Sequence, residues 1–146
     1  MTYRTGRVGR VVVARFNDGE DLLEGLREIA RKEDIRSGVC LILGGLKKGE
    51  FVVGPEGDDL PPKPMWRKIE TSHEVIGLGT IFWDDTGPKV HLHGSYARAD
   101  DVKLGCLRQS SEVFLVIEAI VLEIEGINAK RVFEPEAALA LLNFID

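Results

Sequence analysis

The sequence is poor in cysteine and has no long apolar run. Two cysteines among 146 residues are too few for a disulfide scaffold, and Cys40 lies in an apolar run, where a buried reduced thiol would sit. The longest nearly apolar stretch, Val113 to Ile124, contains Glu118 and Glu123 and is too short to span a bilayer. No early segment has the pattern of a signal peptide. We therefore expect a soluble, cytoplasmic protein with no membrane partner.

An excess of basic charge is missing as well. The 19 Lys and Arg residues against 24 Asp and Glu residues give a formal net charge of -5, which argues against coating of nucleic acid by bulk charge. The all-basic stretch is confined to the residues before Asp18. There Arg7 and Arg10, each preceded by glycine, form a short basic arm of the kind that enters a narrow DNA minor groove. The commoner explanation of such an arm is a solvated terminus.

Three common catalytic signatures are absent from the sequence. There is no P-loop, and Gly77-Leu78-Gly79 lacks the third glycine and the following helix of a dinucleotide-binding fingerprint. Ser95 lies two residues beyond His93, but no nucleophile elbow surrounds it. The remaining candidates for chemistry are therefore metal ligands and isolated acids.

The length and composition fit one globular domain over residues 1–146. With 44% hydrophobic and 29% charged residues, the chain can bury a core without a disulfide or a metal. Leu22, Leu26, Ile29 and Ala30 recur at helical spacing after a polar turn, which predicts an amphipathic helix over residues 20 to about 33.

Branched and apolar runs elsewhere predict strands. These strands cover residues 11–16, 39–46, 50–53, 65–70, 74–83, 89–98 and 113–125. Lys47-Lys48-Gly49 predicts a tight turn, and Ala137 to Phe144 predicts a short terminal helix. Because most connections are too short for parallel crossovers, we expect an α+β domain: a largely antiparallel twisted sheet of about seven strands with one main helix on one face.

The segment Val90-His91-Leu92-His93 carries the most chemical information. Side chains at positions i and i+2 of a strand point to the same face, so His91 and His93 can converge on one ion or one substrate. Imidazole is a common ligand of zinc and other transition metals. The alternatives are a polar, solvated stripe or histidines that form hydrogen bonds at an interface.

Cys106 is a candidate third ligand. Its distance along the chain from His93 is one that a single hairpin could close, and two imidazoles with a thiolate leave the open fourth position of catalytic zinc sites. The alternative is that Cys106, between Gly105 and Leu107, is a small buried hydrophobe.

Two acidic residues in the last long predicted strand, Glu112 and Glu118, are candidates for a functional role. Glu112 opens the last long strand and Glu118 interrupts its apolar run. Buried carboxylates must be paired, hydrogen-bonded or functional. We consider Glu112 a candidate general base for a zinc-bound water, and Glu118 a candidate for an ion pair at a subunit contact.

The order and spacing of several short motifs resemble the plants-and-prokaryotes conserved (PPC) domain family. These motifs are Arg15-Phe16-Asn17-Asp18-Gly19-Glu20-Asp21-Leu22, Gly44, Gly79-Thr80-Ile81, His91-Leu92-His93, Gly105-Cys106-Leu107 and Glu112-Val113. The resemblance covers about residues 10–133 and implies an α+β fold that assembles as a homotrimer. Plant members carry the domain after AT-hook segments in DNA-binding regulators, whereas this chain has no Arg-Gly-Arg-Pro hook core.

The resemblance also implies a metal site. The family's paired histidines fall on His91 and His93, and its next histidine falls on Cys106, which can replace histidine as a zinc ligand. The Glu of the family's Glu-Val pair falls on Glu112, as a further ligand or as a residue that orients one.

Three functional hypotheses follow from these observations. The first is a homotrimeric binding or regulatory module, associated with DNA through its arm or through a partner. The second is a zinc-dependent hydrolase or lyase. The third is a purely structural trimer whose histidines form hydrogen bonds across subunits.

Overall fold

The computed structural model describes residues 1–145, so Asp146 lies outside the described residues. The elements follow one another along the chain as β1 (Arg7–Asn17), α1 (Leu22–Lys32), β2 (Ser37–Pro55), β3 (Pro64–Ile69), β4 (His73–Asp84), β5 (Gly87–Arg98), β6 (Asp101–Glu125), β7 (Ala129–Glu134) and β8 (Leu139–Phe144). No helix within residues 1–145 has the length and apolar character needed to cross a membrane.

The strands form one six-stranded sheet and one separate ribbon. The sheet has the order β1-β6-β5-β4-β2-β3, the ribbon pairs β7 with β8, and all these pairings are antiparallel. The long strand β6 also pairs with β2, which closes β2, β4, β5 and β6 into a hydrogen-bonded ring. The predicted α+β class, a largely antiparallel sheet with one main helix, is confirmed.

The helix covers the inner face of the sheet. The carboxylate of Asp21 caps α1 by accepting a hydrogen bond from the Glu24 backbone N–H at 2.9 Å. The apolar stripe of α1, including the fully buried Leu22 and Leu26, then packs into the core beside Phe16 and other inner-face residues. Burial of this stripe fixes which face of the sheet is left outside.

The outer face of the sheet is apolar but open. Along β2 the buried Cys40 and Ile42 alternate with Leu41 and Leu43, which are 39% and 52% exposed. The side chains that continue this exposed surface, which we call the apolar face, are Leu41, Leu43, Ile76, Leu78, Leu104 and Ile120. A contiguous apolar surface of this kind marks a region that normally contacts another molecule.

Two sequence predictions about secondary structure were wrong. The expected turn at Lys47-Lys48-Gly49 is part of one continuous strand, because β2 pairs with β6 through this region. The register of the pairing shifts here, but the strand is not interrupted. The expected terminal helix is strand β8, since its backbone pairs with β7, for which no strand was predicted. Strand pairing thus overrides a local turn preference at the first place and helix propensity at the second.

Gly44 explains one irregularity in the pairing of β2 with β6. Its φ of +143° is one that side-chain-bearing residues rarely adopt, and a Cβ there would lie 2.2 Å from the Val116 carbonyl oxygen. The glycine thus lets the two longest strands approach closely at a bulge.

Both cysteines are free and buried. Cys40 belongs to the core, as expected, and burial raises the pKa of its thiol to about 11. Cys106 is not part of that core cluster; it lies beside the two histidines of β5.

Candidate metal centre

Strand pairing brings the three predicted ligands together. His93 in β5 lies directly opposite Cys106 in β6, and His91 precedes His93 by two residues on the same face. The ligand atoms of His91, His93 and Cys106 all lie within 4.8 Å of one another. Two adjacent strands of the closed ring hold the three side chains, so their spacing is set by backbone hydrogen bonds.

The two imidazoles are already close to a ligating geometry. Their Nε2 atoms are 3.0 Å apart, and their rings meet edge to face at 76°. Two nitrogens that each bind zinc at about 2.0–2.1 Å in a tetrahedral site lie roughly 3.3 Å apart. Small side-chain rotations would therefore let this donor set hold a zinc ion, and nitrogen and thiolate donors suit zinc chemically.

The surroundings keep the imidazoles neutral. Partial burial, with the nearby charges of His93, Arg131 and Arg108, lowers the pKa of His91 from 6.5 to about 4. Burial and then Arg108 lower the pKa of His93 as well. At neutral pH both rings are therefore in the unprotonated form that binds metals.

Two kinds of contact act in opposite directions on the pKa of the Cys106 thiol. Burial raises its pKa, while the charge and hydrogen bond of the Arg108 guanidinium and the charge of Arg131 act in the opposite direction. A metal would displace the thiol proton, as metal binding to cysteine requires.

A cavity lies on each side of Cys106. The larger, about 580 Å³, is lined by His93, Cys106 and Arg108 together with apolar residues that include Trp66. The smaller, about 250 Å³, is lined by His91, Cys106, Arg108 and Arg131. A fourth ligand on the metal could therefore be reached from solvent.

Sequence reasoning missed the two arginines. Arg108 could have been found, because it follows Cys106 at the same i, i+2 spacing that links the histidines. Arg131 gave no such signal, since it comes from β7, and its Nη2 donates a hydrogen bond to Thr80 Oγ1 at 2.9 Å. Its presence at the site depends on how the ribbon lies against β4.

The proposed base, Glu112, is not brought to the triad. Its carboxylate pairs with Lys48 at 2.8 Å and with Lys47 at 3.3 Å, and these two lysines, Lys48 first, hold its pKa below the usual value. Its backbone faces Asp21 at the start of the helix. These contacts give Glu112 an ion-pairing role in the β2–β6 ladder, where it lies opposite Lys48, whereas Cys106 lies opposite Val52.

The predicted DNA-binding arginines also have acidic partners. Both belong to strand β1, not to a free arm. Arg7 Nε lies 2.8 Å from Glu125, and Arg10 Nε lies 2.7 Å from Glu123 while its Nη1 lies 3.2 Å from Glu33. The basic charge read from the sequence is thus matched locally by acids of β6 and of the helix end.

The family comparison decides the identity of the fold. The model of the Plants and Prokaryotes Conserved (PCC) domain matches residues 3–125, which include all three candidate ligands. The chain belongs to the PCC domain family. The resemblance found in the sequence is therefore confirmed. A search of curated proteins found no match to this PCC domain.

Solved structures share this fold over nearly the whole chain. A PPC protein of Pyrococcus horikoshii is 25% identical, with a TM-score of 0.85 over 100% of this chain and 99% of that one. A metal-containing protein of Archaeoglobus fulgidus is 21% identical, with a TM-score of 0.86 over 100% of both chains. A candidate DNA-binding protein of Ralstonia eutropha is 20% identical, with a TM-score of 0.76 over 91% of this chain and 90% of that one.

Proposed function

We propose that this PCC-domain protein is a metal-binding module that holds a zinc ion through His91, His93 and Cys106. The observation that carries the proposal is the convergence of three ligand atoms within 4.8 Å on two paired strands. When bound, zinc would supply a positive centre that polarises whatever occupies its fourth position. The metal-containing neighbour from Archaeoglobus fulgidus supports the proposal.

Metal analysis of the purified protein tests this directly. Protein purified without added metal and then incubated with Zn²⁺ and desalted should retain about one equivalent per chain. Changing His93→Ala should reduce the retained metal to below roughly a tenth of an equivalent, because two ligands rarely hold zinc tightly. His73→Ala is the matched control, since His73 is bonded to the Thr71 carbonyl outside the cluster. Equal retention by both variants would remove the proposal.

A zinc-dependent hydrolase or lyase is not supported by the geometry. Such an enzyme needs a base within reach of the zinc-bound water. The predicted base, Glu112, is instead engaged by Lys47 and Lys48. We therefore propose binding, and not hydrolysis, as the function of the site.

We also propose that the module assembles as a homotrimer through its apolar face. His93 and Leu104 line the open cavities of both the apolar face and the metal site, so subunit contacts on this face would lie beside the metal. Glu118 is exposed and also lines the apolar face, so its carboxylate would need a partner once another subunit covered this face. We propose a cytoplasmic location, because a reducing compartment preserves the Cys106 thiol as a ligand.

Association with DNA is a second candidate function, since neighbours from Ralstonia eutropha and Bacteroides thetaiotaomicron are candidate DNA-binding proteins. Arg7 and Arg10 would then have to exchange their acidic partners for phosphates. Electrophoretic mobility shifts at two salt concentrations test this. A shift at low salt that Arg10→Gln weakens would support the arm as the contact. No shift at low salt would exclude direct binding.

A further inference from the structure

The candidate metal centre is surrounded by positive charge. Arg108 in β6 and Arg131 in β7 line the same cavity of about 250 Å³ as His91 and Cys106. The two arginines come from different sheets, so they reach the cavity from two directions. Arg131 is half-buried, which restricts the water available to solvate its guanidinium.

Within residues 1–145 no carboxylate balances these two guanidinium groups. The other basic side chains near this cavity have acidic partners: Lys89 lies 3.2 Å from Asp84, and Lys130 lies 3.2 Å from Asp85. Arg131 donates a hydrogen bond to the neutral Thr80 hydroxyl, and its guanidinium lies 5.8 Å from the centre of the uncharged Phe82 ring. The described residues that line either cavity beside Cys106 include no acid.

Metal binding makes the charge imbalance larger. A Zn²⁺ ion with one thiolate carries a net charge of about +1, and two guanidinium groups raise the local total to about +3. Like charges this close repel, and partial burial weakens the screening by water. An anion in the cavity would remove this repulsion and would satisfy both arginines.

We propose that Arg108 and Arg131 form an anion-binding wall of the site, so that its ligand is a small carboxylate or phosphate that contacts the metal at the fourth position. This inference rests on the metal-binding function proposed above. Guanidinium groups bind both kinds of oxyanion through paired N–H donors.

The shapes of the cavities limit the ligand's size. The cavity between the arginines is slightly smaller than the roughly 300–1,000 Å³ typical of pockets for drug-sized ligands, so it suits the ionic end of a small molecule. The adjoining cavity of about 580 Å³ is lined by apolar groups such as Val52, Pro62 and Trp66, which could contact the remainder of that molecule.

Cobalt-substituted protein tests the proposal, because the visible spectrum of Co²⁺ reports its ligands. The protein is loaded with Co²⁺ and titrated separately with inorganic phosphate, with succinate and with uncharged succinamide. We expect a saturable spectral change with phosphate or succinate and none with succinamide. The first two titrations distinguish a phosphate site from a carboxylate site.

Two variants assign the effect to the arginines. Arg108→Gln and Arg131→Gln should each weaken anion binding by roughly tenfold or more, the loss of one charge-assisted contact. In the absence of the anion each should bind Co²⁺ more tightly than the parent, since a repelling charge is gone. Arg27→Gln on the helix is the charge-matched control and should change neither value.

Arg131→Lys covers the case in which Arg131→Gln does not fold. It keeps the charge but not the paired donors, so it should bind the anion with intermediate affinity. If Co²⁺ binds but no anion changes the spectrum, or if both Gln variants bind anions like the parent, the inference is overturned and metal binding stands. If no Co²⁺ binds, both proposals are overturned.

Discussion

The third ligand of the triad sets the charge of the metal centre. The family resemblance implies histidine at the position of Cys106, so this chain would offer two neutral imidazoles and one thiol in place of three imidazoles. A thiolate offsets one of the positive charges that Arg108 and Arg131 bring to the site, which a third neutral imidazole would not do. The chemistry of this one residue therefore links metal binding to proton release.

Proton release upon metal binding should distinguish the thiol from an imidazole. At pH 7.5 zinc should displace about one proton per ion from Cys106, whose pKa burial raises. Cys106→His should still bind zinc but release far fewer protons, since a histidine there is mostly unprotonated at this pH. Calorimetric titration in two buffers of different ionisation enthalpy measures the difference. Equal release from both proteins would contradict the assignment.

His91 should make the metal-free protein sensitive to acid. Its pKa in the folded state, about 4, is below the usual 6.5, so the unfolded chain binds the proton more readily. The stability that His91 contributes is thus complete above pH 6.5 and is lost as the pH falls toward 4. With a chelator present, urea unfolding of His91→Asn should show a smaller loss over this range than the parent. If the variant loses stability as steeply as the parent, His91 is not the cause of the acid sensitivity.

At the scale of elements, the start of α1 is tied to the sheet through one carboxylate. Asp21 accepts from the Glu24 N–H at 2.9 Å and from the Ser111 hydroxyl at 2.8 Å, while the same hydroxyl accepts from the Leu23 N–H at 2.9 Å. Asp21 therefore caps the start of the helix and also anchors it to β6.

Removal of this cap should destabilise the protein measurably. We expect Asp21→Ala to lower the free energy of unfolding by about 2 kcal/mol, the upper range for a lost N-cap, because the Ser111 hydroxyl also loses its acceptor. Glu28→Ala on the same helix removes only an exposed ion pair with Lys32 and should cost much less, because water screens that pair. Urea denaturation compares the two variants, and equal losses would be inconsistent with an anchoring cap.

The sequence predicted local elements well and long-range ones poorly. The helix and the strand that carries His91 and His93 follow from periodicity, which neighbouring residues determine. Strand β7 and strand β8 were missed because their stability comes from pairing with each other, and the Ala and Leu residues of β8 equally suit a helix.

The difference between local and long-range contacts also explains which residues of the candidate site could be predicted. His91, His93 and Cys106 lie on neighbouring strands joined by one hairpin, so spacing alone could bring them together. Arg131 reaches the site through the separate ribbon, and no local pattern encodes that contact. Glu112 was considered as a base because it opens a strand and matches the family's Glu-Val pair. Its ion pairs with Lys47 and Lys48 were not foreseen, because a turn, not a strand paired with β6, was expected there.

At the scale of the whole molecule, the apolar face should determine assembly. The side chains of Ile76 and Leu78 are 66% and 57% exposed at its centre, and burial of such residues stabilises association. Leu78→Glu should therefore weaken formation of the proposed trimer by roughly 100-fold or more, about 3 kcal/mol, since a charge would be buried.

Sedimentation analysis checks this expectation against the 16.2 kDa mass of one chain. The parent should sediment at three times the mass of one chain, and the Leu78→Glu variant at a mass closer to that of one chain. Leu60→Glu is the matched control, because Leu60 is equally apolar and 69% exposed but lies in the loop before β3. A variant at Leu78 that remains trimeric would rule out this face as the interface.

The pairing of the first strand with the last long one has a consequence for how the chain is made. Phe16 of β1 lies opposite Ile117 of β6, and Val8 lies opposite Ile124, so most of the sequence separates each partner pair. Contacts this distant require closure of a very long loop and slow the folding of β-rich chains. During translation β1 must therefore wait without its partner until β6 emerges, and the sheet cannot be completed before then.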